Sequence, residues 1–301
     1  MEHVIETKNL SRRFGKKHAV RGLDLAVPAG SIFAFLGPNG AGKTTTIKML
    51  MNILPSTEGR ASVLGADSSR LGPREFSQIG YVSENQKMPE WMTVGQLIEF
   101  CKPMYPAWDD AFCERLLQQF ALRREDKIKS LSRGNKTKAS LLSSLSYHPR
   151  LLVLDEPFSG LDPLVRDEFI RGVLELTEQQ QWTIFISSHD IDEVERLADW
   201  VGIINQGELQ LAESMAALQA RFRQIEVVTR DTAQKPSSPP SSWLNLEVEG
   251  HTIRFVECQF SEQGWEAAGH LHFSNAVQKT VQPMSLREIF LSLARHYRFN
   301  T

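Results

Sequence analysis

The chain has 301 residues, of which 41% are hydrophobic and 23% are charged, an ordinary balance for a soluble globular protein. Its formal net charge of −2 leaves no global basic field to recruit nucleic acid or an anionic membrane. The three cysteines include no pair at metal-ligand spacing, and no apolar run approaches the roughly 18 residues that span a bilayer. We therefore expect a soluble, cytoplasmic protein that can still dock on a membrane protein.

The first elements are two stretches, residues 2–8 and 22–28, in which apolar and polar residues alternate as they do in half-buried antiparallel strands. Phe14 lies between them on a turn, before Gly15 and a basic pair. Its ring could stack on an adenine base or pack on the sheet. Packing is favoured at this point, because a lone aromatic residue is more often part of a core.

A glycine-rich turn follows an apolar strand, Ile32–Leu36, and leads into a second apolar segment, Ile47–Met51. The residues of this turn and of the helix start are Gly37, Pro38, Asn39, Gly40, Ala41, Gly42, Lys43, Thr44 and Thr45. Strand, glycine-rich turn and helix are the context of a phosphate-binding loop, whose backbone N–H groups cradle an anion. Lys43 would contact the β- and γ-phosphates, and the Thr44 hydroxyl can bind Mg²⁺. The stretch predicts binding of a nucleoside triphosphate.

Helical patterns dominate from about residue 87 to residue 147. Thr93 is a predicted N-cap for a helix over 94–102, and residues 111–122 carry apolar side chains at helical spacing. A polar turn containing Ser132 and Gly134 then precedes an apolar helix over 139–145. Such a turn could hold a second phosphate, although Ser-x-Gly before a helix is also common capping chemistry.

A buried parallel strand, Leu151–Leu154, ends in Asp155 and Glu156. Ligand-binding residues in open α/β sheets lie at the carboxyl ends of strands. Asp155 is placed to hold Mg²⁺, and Glu156 can polarise the water that attacks the γ-phosphate. After a predicted helix over 164–178, a second buried strand over 182–188 ends at His189, which we interpret as a polar contact to the γ-phosphate.

The order of these motifs resembles that of the ATP-binding subunits of ABC transporters. The resemblance covers about residues 4–215, and its motifs are 37–45 (Walker A), 131–136 (signature), 151–156 (Walker B), 159–162 (D-loop) and His189 (switch histidine). It implies an α/β fold with a P-loop NTPase core, which is RecA-like with a mainly parallel sheet, an antiparallel β subdomain and a helical lobe at about 87–147. The ABC ATPase domain would span 1–220. Phe14 would then stack on adenine, which reverses the preference for packing.

The resemblance also implies a mechanism. The cofactors would be ATP and Mg²⁺, and two such domains, identical or different, would pair head to tail. Ser132 and Gly134 would then contact, in trans, the ATP bound by the partner. The chain would be an ATPase on the inner face of the membrane that energises a separately encoded permease, of the ABC-2 export type.

The alternative is a soluble ABC-type ATPase that acts on ribosomes or nucleic acid. A single phosphate loop, the absence of zinc-module cysteine spacing or heptads, and the net charge argue against it. No nucleic acid is expected as a partner.

Two departures from the family pattern stand out. The usual signature is Leu-Ser-Gly-Gly-Gln, and here Arg133 and Asn135 replace a glycine and the glutamine. Arg133 could strengthen anion contact or crowd the closed dimer. The family's lid glutamine, which contacts Mg²⁺, usually falls at the position of Glu84, with Gln86 two residues further on. Spacing favours Glu84, and chemistry leaves Gln86 open.

Residues 221–301 are predicted to form a small α+β accessory domain, regulatory or dimer-supporting. Strands are expected at 225–228, 244–248 and 252–256, and a further strand at 270–273 would place His270 and His272 on one face. Exposed polar residues are favoured over a metal pair there. The end of the chain predicts an amphipathic helix with Ser285 as its N-cap and Glu288 three residues later.

Overall fold

The computed structural model describes residues 2–84, 86–159, 161, 163, 166, 167, 170–172, 174 and 182–299. The chain divides into two compact units, residues 1–212 and 213–301. The boundary between the units lies before the helix over 215–221. The helix belongs to the second unit because its last residue, Arg221, pairs with Glu213 and donates to the carbonyl of Cys258.

The first unit contains both strands and helices, with three consecutive α-helices between the seventh and eighth strands. Its strands are β1 (His3–Phe14), β2 (Lys17–Leu23), β3 (Ala26–Pro28), β4 (Ile32–Leu36), β5 (Glu58–Val63), β6 (Ala66–Asp67), β7 (Ile79–Ser83), β8 (Leu151–Asp155), β9 (Thr183–Ser188), β10 (Trp200–Asn205) and β11 (Glu208–Ser214), whose last two residues fall in the second unit. Its described α-helices are α1 (Lys43–Leu50), α2 (Pro73–Phe76), α3 (Val94–Cys101), α4 (Asp110–Gln119), α5 (Arg133–Leu145) and α6 (Ile191–Glu195), with 3₁₀ turns at Ser68–Arg70, Lys102–Met104 and Ile128–Ser130.

The central sheet has the strand order β11-β10-β4-β9-β8-β7, and the pairings from β10 to β7 are parallel. Strands β4, β8 and β9 are buried along their whole length, as parallel strands covered on both faces are. Leu36 pairs with Ser188 and Asp155 pairs with Ser187. The carboxyl ends of β4, β8 and β9 therefore meet at one edge of the sheet.

A second, antiparallel sheet has the order β2-β1-β5-β6, with β3 also paired to β1. A single buried cluster joins apolar residues of both sheets and of α1. At its centre Phe185 stacks on Phe33 at 5.7 Å and lies 5.5 Å from Phe35, between ring centroids. The predicted P-loop NTPase architecture, with an antiparallel β subdomain and a helical segment, is confirmed.

Several predicted boundaries differ from the observed ones. The Thr93 cap is confirmed, since its hydroxyl accepts from the amide of Gln96. The helix predicted over 139–145 begins six residues earlier, at Arg133, because Ser132 Oγ accepts from the amide of Asn135 and caps the polar first turn. The helix predicted over 164–178 lies largely outside the described residues.

The second unit combines a four-stranded antiparallel sheet with helices. Its strands are β12 (Arg223–Thr229), β13 (Trp243–Glu249), β14 (Thr252–Glu257) and β15 (Ala276–Pro283), in the order β13-β14-β12-β15. Its described helices are α7 (Met215–Arg221), α8 (Glu262–His272) and α9 (Leu286–Phe299). The capping box before α9 is confirmed, because Ser285 Oγ accepts from the amide of Glu288 and Glu288 Oε2 accepts from that of Ser285.

The strand predicted over 270–273 is wrong. Residues up to His272 belong to α8, which begins where Ser261 Oγ accepts from the amide of Gly264. On a helix, residues two positions apart do not share a face. His270 and His272 therefore do not lie on one face of a strand, and they do not share a face of α8.

Nowhere in the described part of the chain is there a helix both long enough and apolar enough to cross a membrane.

Candidate functional site

A cavity of about 610 Å³ opens in the first unit where the buried strands of the central sheet end. Its walls are Phe14, Lys17, Ala19, Asn39, Gly40, Ala41, Gly42, Lys43, Thr44, Thr45, Glu84, Glu156, Ser159 and His189. The fold thus brings together most of the candidate residues that sequence reasoning selected. Lys17, Ala19 and Ser159 also line the cavity. Lys17 and Ala19 belong to none of the motifs that the sequence analysis identifies.

The glycine-rich loop takes its shape from positions that exclude a side chain. Gly42 has φ +114°, and a Cβ there would lie 2.5 Å from the carbonyl oxygen of Ala19. A Cβ on Gly37 would lie 2.3 Å from the carbonyl oxygen of Ile204. Both distances are shorter than the closest approach that a real Cβ atom makes to an oxygen atom. Only glycine therefore allows the loop to pack at these two positions and to continue directly into α1. Lys43, Thr44 and Thr45 at the start of α1 line the cavity, and the first N–H groups of a helix have no partner within the helix, so this end is suited to binding an anion.

Lys43 and Glu156 form a buried ion pair at the floor of the cavity. Lys43 Nζ lies 3.0 Å from Glu156 Oε1, and the two side chains are only 5% and 10% exposed. The same Nζ donates to the carbonyl of Gly37 at 2.6 Å and contacts that of Pro38 at 3.3 Å. Gly37 and Pro38 therefore serve the site through their carbonyls rather than by lining the cavity.

His189 extends this pair into a chain of three groups. Its Nδ1 lies 2.7 Å from Glu156 Oε2. Glu156 itself has φ +52°, and its amide donates to Ser187 Oγ at 3.0 Å. A non-glycine residue in this left-handed region is uncommon and is held there by its surroundings, a feature that concentrates at functional sites. The backbone bend at the end of β8 is what directs the carboxylate between Lys43 and His189.

Asp155 lies behind the cavity wall, next to Thr44. Its Oδ1 accepts from Ser187 Oγ at 2.8 Å and from Thr44 Oγ1 at 3.0 Å. Burial raises the pKa of Asp155, and these two hydrogen bonds oppose the rise. The pairing of β8 with β9 places Ser187 opposite Asp155, and the loop places Thr44 on its other side.

Of the two candidates for the lid residue, Glu84 lines the cavity. Among the described residues 83, 84 and 86–90, it is the one that does so. Glu84 Oε1 accepts from Ser159 Oγ at 2.7 Å and from Arg133 Nη2 at 2.8 Å. The Ser159 hydrogen bond and then the Arg133 guanidinium lower the pKa of Glu84. Gln86 instead accepts from the amide of Ser83 at 3.4 Å.

Phe14 stands on the rim of the cavity with about half of its surface exposed. The guanidinium of Arg12 lies 4.7 Å from the centroid of its ring. The ring is therefore not part of the core, and it borders the cavity.

The signature turn does not reach this cavity. Ser132 is occupied as the cap of α5 and Gly134 is buried in its first turn, and neither lines the cavity of its own chain.

In the predicted D-loop, Gly160 and Asp162 lie outside the described residues.

Comparisons with known proteins agree with this arrangement. Residues 20–159 match the family described as ABC transporter. The chain is 31% identical over 262 residues to the bacitracin transport ATP-binding protein BcrA of Enterococcus faecalis, covering 85% of each chain. It is 32% identical over 210 residues to the lantibiotic transport ATP-binding protein SrtF of Streptococcus pyogenes, covering 69% of this chain and 90% of the relative.

A solved structure of an ATP-binding subunit of an ABC transporter superposes with a TM-score of 0.65 at 26% identity, covering 72% of this chain and 92% of the other. A cassette solved in its ADP conformation gives a TM-score of 0.61 at 25% identity, with 71% and 92% covered.

Proposed function

The chain belongs to the ABC transporter ATP-binding proteins and is an ATPase, and we propose that it energises export by a separately encoded membrane permease. The names of its relatives support the direction of transport. They include proteins for bacitracin transport, linearmycin resistance and lantibiotic transport, and a probable multidrug transporter. The chain would then act at the cytoplasmic face of the membrane, held there by the permease.

The chain of Lys43, Glu156 and His189 within one cavity is the observation that supports ATP hydrolysis most directly. In the proposed mechanism Lys43 turns its ammonium from the loop carbonyls to the β- and γ-phosphates. Glu156 then accepts a hydrogen bond from the attacking water and polarises it, while His189 contacts the γ-phosphate. Phosphoryl transfer needs mainly positioning and charge stabilisation, which such a preformed set of groups can supply.

Mg²⁺ fits the oxygen atoms next to this set. Thr44 Oγ1 and Asp155 Oδ1 lie 3.0 Å apart, and hard oxygen ligands are what Mg²⁺ selects. Proteins hold this ion through one or two carboxylates together with substrate phosphates, so Thr44 and Asp155 would hold it, with Glu84 as a further candidate. When bound, the ion would neutralise charge on the phosphates.

Phe14 is proposed to stack on the adenine ring. Its exposed face borders the same cavity as the phosphate-binding loop. Stacking of a base on an aromatic side chain is worth about 1–3 kcal/mol and needs no particular hydrogen bond.

We further propose that two chains, identical or different, pair head to tail. Ser132 and Gly134 do not line the cavity of their own chain, and in the pair they would complete the cavity of the partner. ATP held between the two chains would offset the entropy lost on association, so hydrolysis would weaken the pair. In this proposal residues 1–220 form the ATPase domain with the helical lobe at 87–147. Residues 221–301 form an accessory domain that regulates or supports the dimer.

Purification of the tagged chain from native membranes in mild detergent tests the transport proposal. We expect an integral membrane protein with several spanning segments to co-purify, and to be absent when the tag is placed on an unrelated protein. Recovery of ribosomal proteins or DNA in its place would contradict the proposal and favour the soluble class of ABC-type ATPases.

A further inference from the structure

Arg133, the residue that departs most from the usual signature, makes its contacts within its own chain. It is the first residue of α5, and its guanidinium crosses to two loops that follow strands of the central sheet. Nη2 donates to Glu84 Oε1 at 2.8 Å, after β7, and lies 3.5 Å from Ser159 Oγ, after β8. One arginine thus connects the helical lobe with two segments of the core.

Both contacted residues belong to the wall of the nucleotide cavity. Glu84 and Ser159 also line a small adjoining cleft, which Arg133 lines from the other side. The two departures from the family pattern, Glu84 and Arg133, are therefore linked. Glu84 is an acidic residue in the cavity wall, and Arg133 is the basic residue that neutralises it. The two positions lie 49 residues apart in the sequence.

The charges around the cavity show why this matters. Lys43 is already paired with Glu156, and His189 contacts the same carboxylate. Without Arg133, Glu84 would have no cationic partner at ion-pair distance among the described residues, because its other side-chain partner there, Ser159, is neutral. The triphosphate of a nucleotide is strongly anionic, so an unpaired carboxylate in the wall would repel it.

We propose that Arg133 is a positioning residue for nucleotide binding, which neutralises Glu84 and holds it with Ser159 at the edge of the cavity. The role is exercised in cis, before any partner chain or permease is engaged. It rests on nucleotide binding by the single chain and is independent of the proposed export function, so either can fail without the other.

The test measures binding of a fluorescent ATP analogue to the purified chain in EDTA, which removes any metal contribution, at low ionic strength. Arg133→Ala should weaken binding about two- to fivefold, the range expected for one half-exposed ion pair. Glu84→Gln should tighten binding by a similar factor, because it leaves the Arg133 charge uncompensated beside the cavity. The double variant should bind like the wild type, and all differences should shrink at about 0.5 M salt.

Opposite signs for the two single variants separate this role from a merely structural one. If the ion pair only held the fold together, both single variants would weaken binding, and that result would overturn the proposal. Unchanged binding in Arg133→Ala would also overturn it. Should that variant fail to fold, Glu84→Gln decides alone, and weaker or equal binding would refute the proposal.

Arg124→Ala is the matched control. Arg124 is 41% exposed, against 50% for Arg133, and it also pairs with two side chains, Glu99 and Glu114. These partners lie in α3 and α4, away from the cavity wall. The control should bind nucleotide like the wild type. That result would show that loss of a surface arginine from the helical lobe does not by itself weaken nucleotide binding.

Discussion

The first unit buries an ion pair, whereas the ion pairs described in the second unit stay partly exposed. In the first unit, Lys43 and Glu156 meet with 5% and 10% of their side chains exposed. In the second, the pair Arg221–Glu213 keeps 33% and 21% exposed, and Arg254–Glu226 keeps 50% and 40%. Burying a charge costs several kcal/mol unless its geometry compensates for it. Lys43 and Glu156 bear this cost where a phosphate is expected, and no ion pair found within residues 213–299 is buried to the same extent.

The second unit depends on apolar packing instead. Trp243 stacks on Phe255 at 4.1 Å and on Phe273 at 5.3 Å, between ring centroids. All three rings are buried in one cluster next to the sheet. Among the described residues a buried ion pair, rather than burial as such, therefore distinguishes the first unit from the second.

The largest expected effect follows from Glu156→Gln. The amide keeps the size of the side chain and its place between Lys43 and His189, but it cannot accept a proton from water. We expect ATP binding to persist while kcat falls about 100-fold or more, the usual contribution of a general base. The variant should also shift towards dimer in the presence of ATP. Single-turnover hydrolysis and gel filtration with ATP measure the two effects.

Glu208→Gln is the matched control for this change. Glu208 pairs with Arg21 on the surface, where both side chains are about half exposed. Its amide variant should hydrolyse ATP at the wild-type rate. If Glu156→Gln retained the wild-type rate as well, Glu156 would lose its proposed role, and the buried pair would have to be explained by stability alone.

The local motifs could be predicted from sequence because each one is contiguous. The loop around Lys43 and the carboxylates after β8 carry their chemistry and their flanking elements within a few residues. The same holds for the caps at Thr93 and Ser285, which need only neighbours three positions away.

Long-range contacts could not be predicted in the same way. Sequence reasoning noticed Arg133 and Glu84 separately, but their pairing depends on how α5 packs against the core. The start of α5 was placed too late because its first turn is polar, so hydrophobic periodicity began only at Ala139. The four residues from His270 alternate between polar and apolar as a strand does, but a stretch this short is compatible with a helix as well as with a strand. The N-cap at Ser261 starts a helix that continues through His272.

Phe255→Ala tests whether the two units can be separated energetically. Loss of a buried ring that stacks on Trp243 should destabilise the second unit by about 3–5 kcal/mol. Because this cluster contributes nothing to the cavity wall, nucleotide affinity should stay at the wild-type value. Denaturant unfolding followed by tryptophan fluorescence, together with nucleotide titration, provides the measurement.

Phe185→Ala is the corresponding change in the first unit. Phe185 is as buried as Phe255. It packs on Phe33 and Phe35, which lie in β4, the strand that precedes the phosphate-binding loop. The substitution should lower stability and nucleotide affinity together. Loss of nucleotide affinity in the Phe255 variant would contradict this separation, because the second unit would then contribute to the nucleotide site.

The smallest effect concerns Glu193, a buried carboxylate of the first unit outside the cavity wall. Burial, followed by the nearby Asp190, raises the pKa of Glu193 to about 6 from an ordinary 4.5, although Arg166 and His189 oppose the rise. One carboxylate oxygen is paired with Arg166, and Oε2 has no hydrogen-bond partner among the described residues. The carboxylate of Glu193 is therefore buried with a polar partner for only one of its two oxygen atoms among the described residues.

The raised pKa means that the folded chain holds a proton on Glu193 that the unfolded chain releases between pH 4.5 and 6. Stability from this group is therefore complete below pH 4.5 and is lost as pH rises to about 6. Relative to Glu193→Gln, which does not titrate, the free energy of unfolding of the wild type should fall by about 1–2 kcal/mol across this range. Urea unfolding of both proteins at several pH values measures the difference. A constant difference would show that the pKa of Glu193 is the same in the folded and the unfolded chain, so that Arg166 fully offsets the cost of burying this carboxylate.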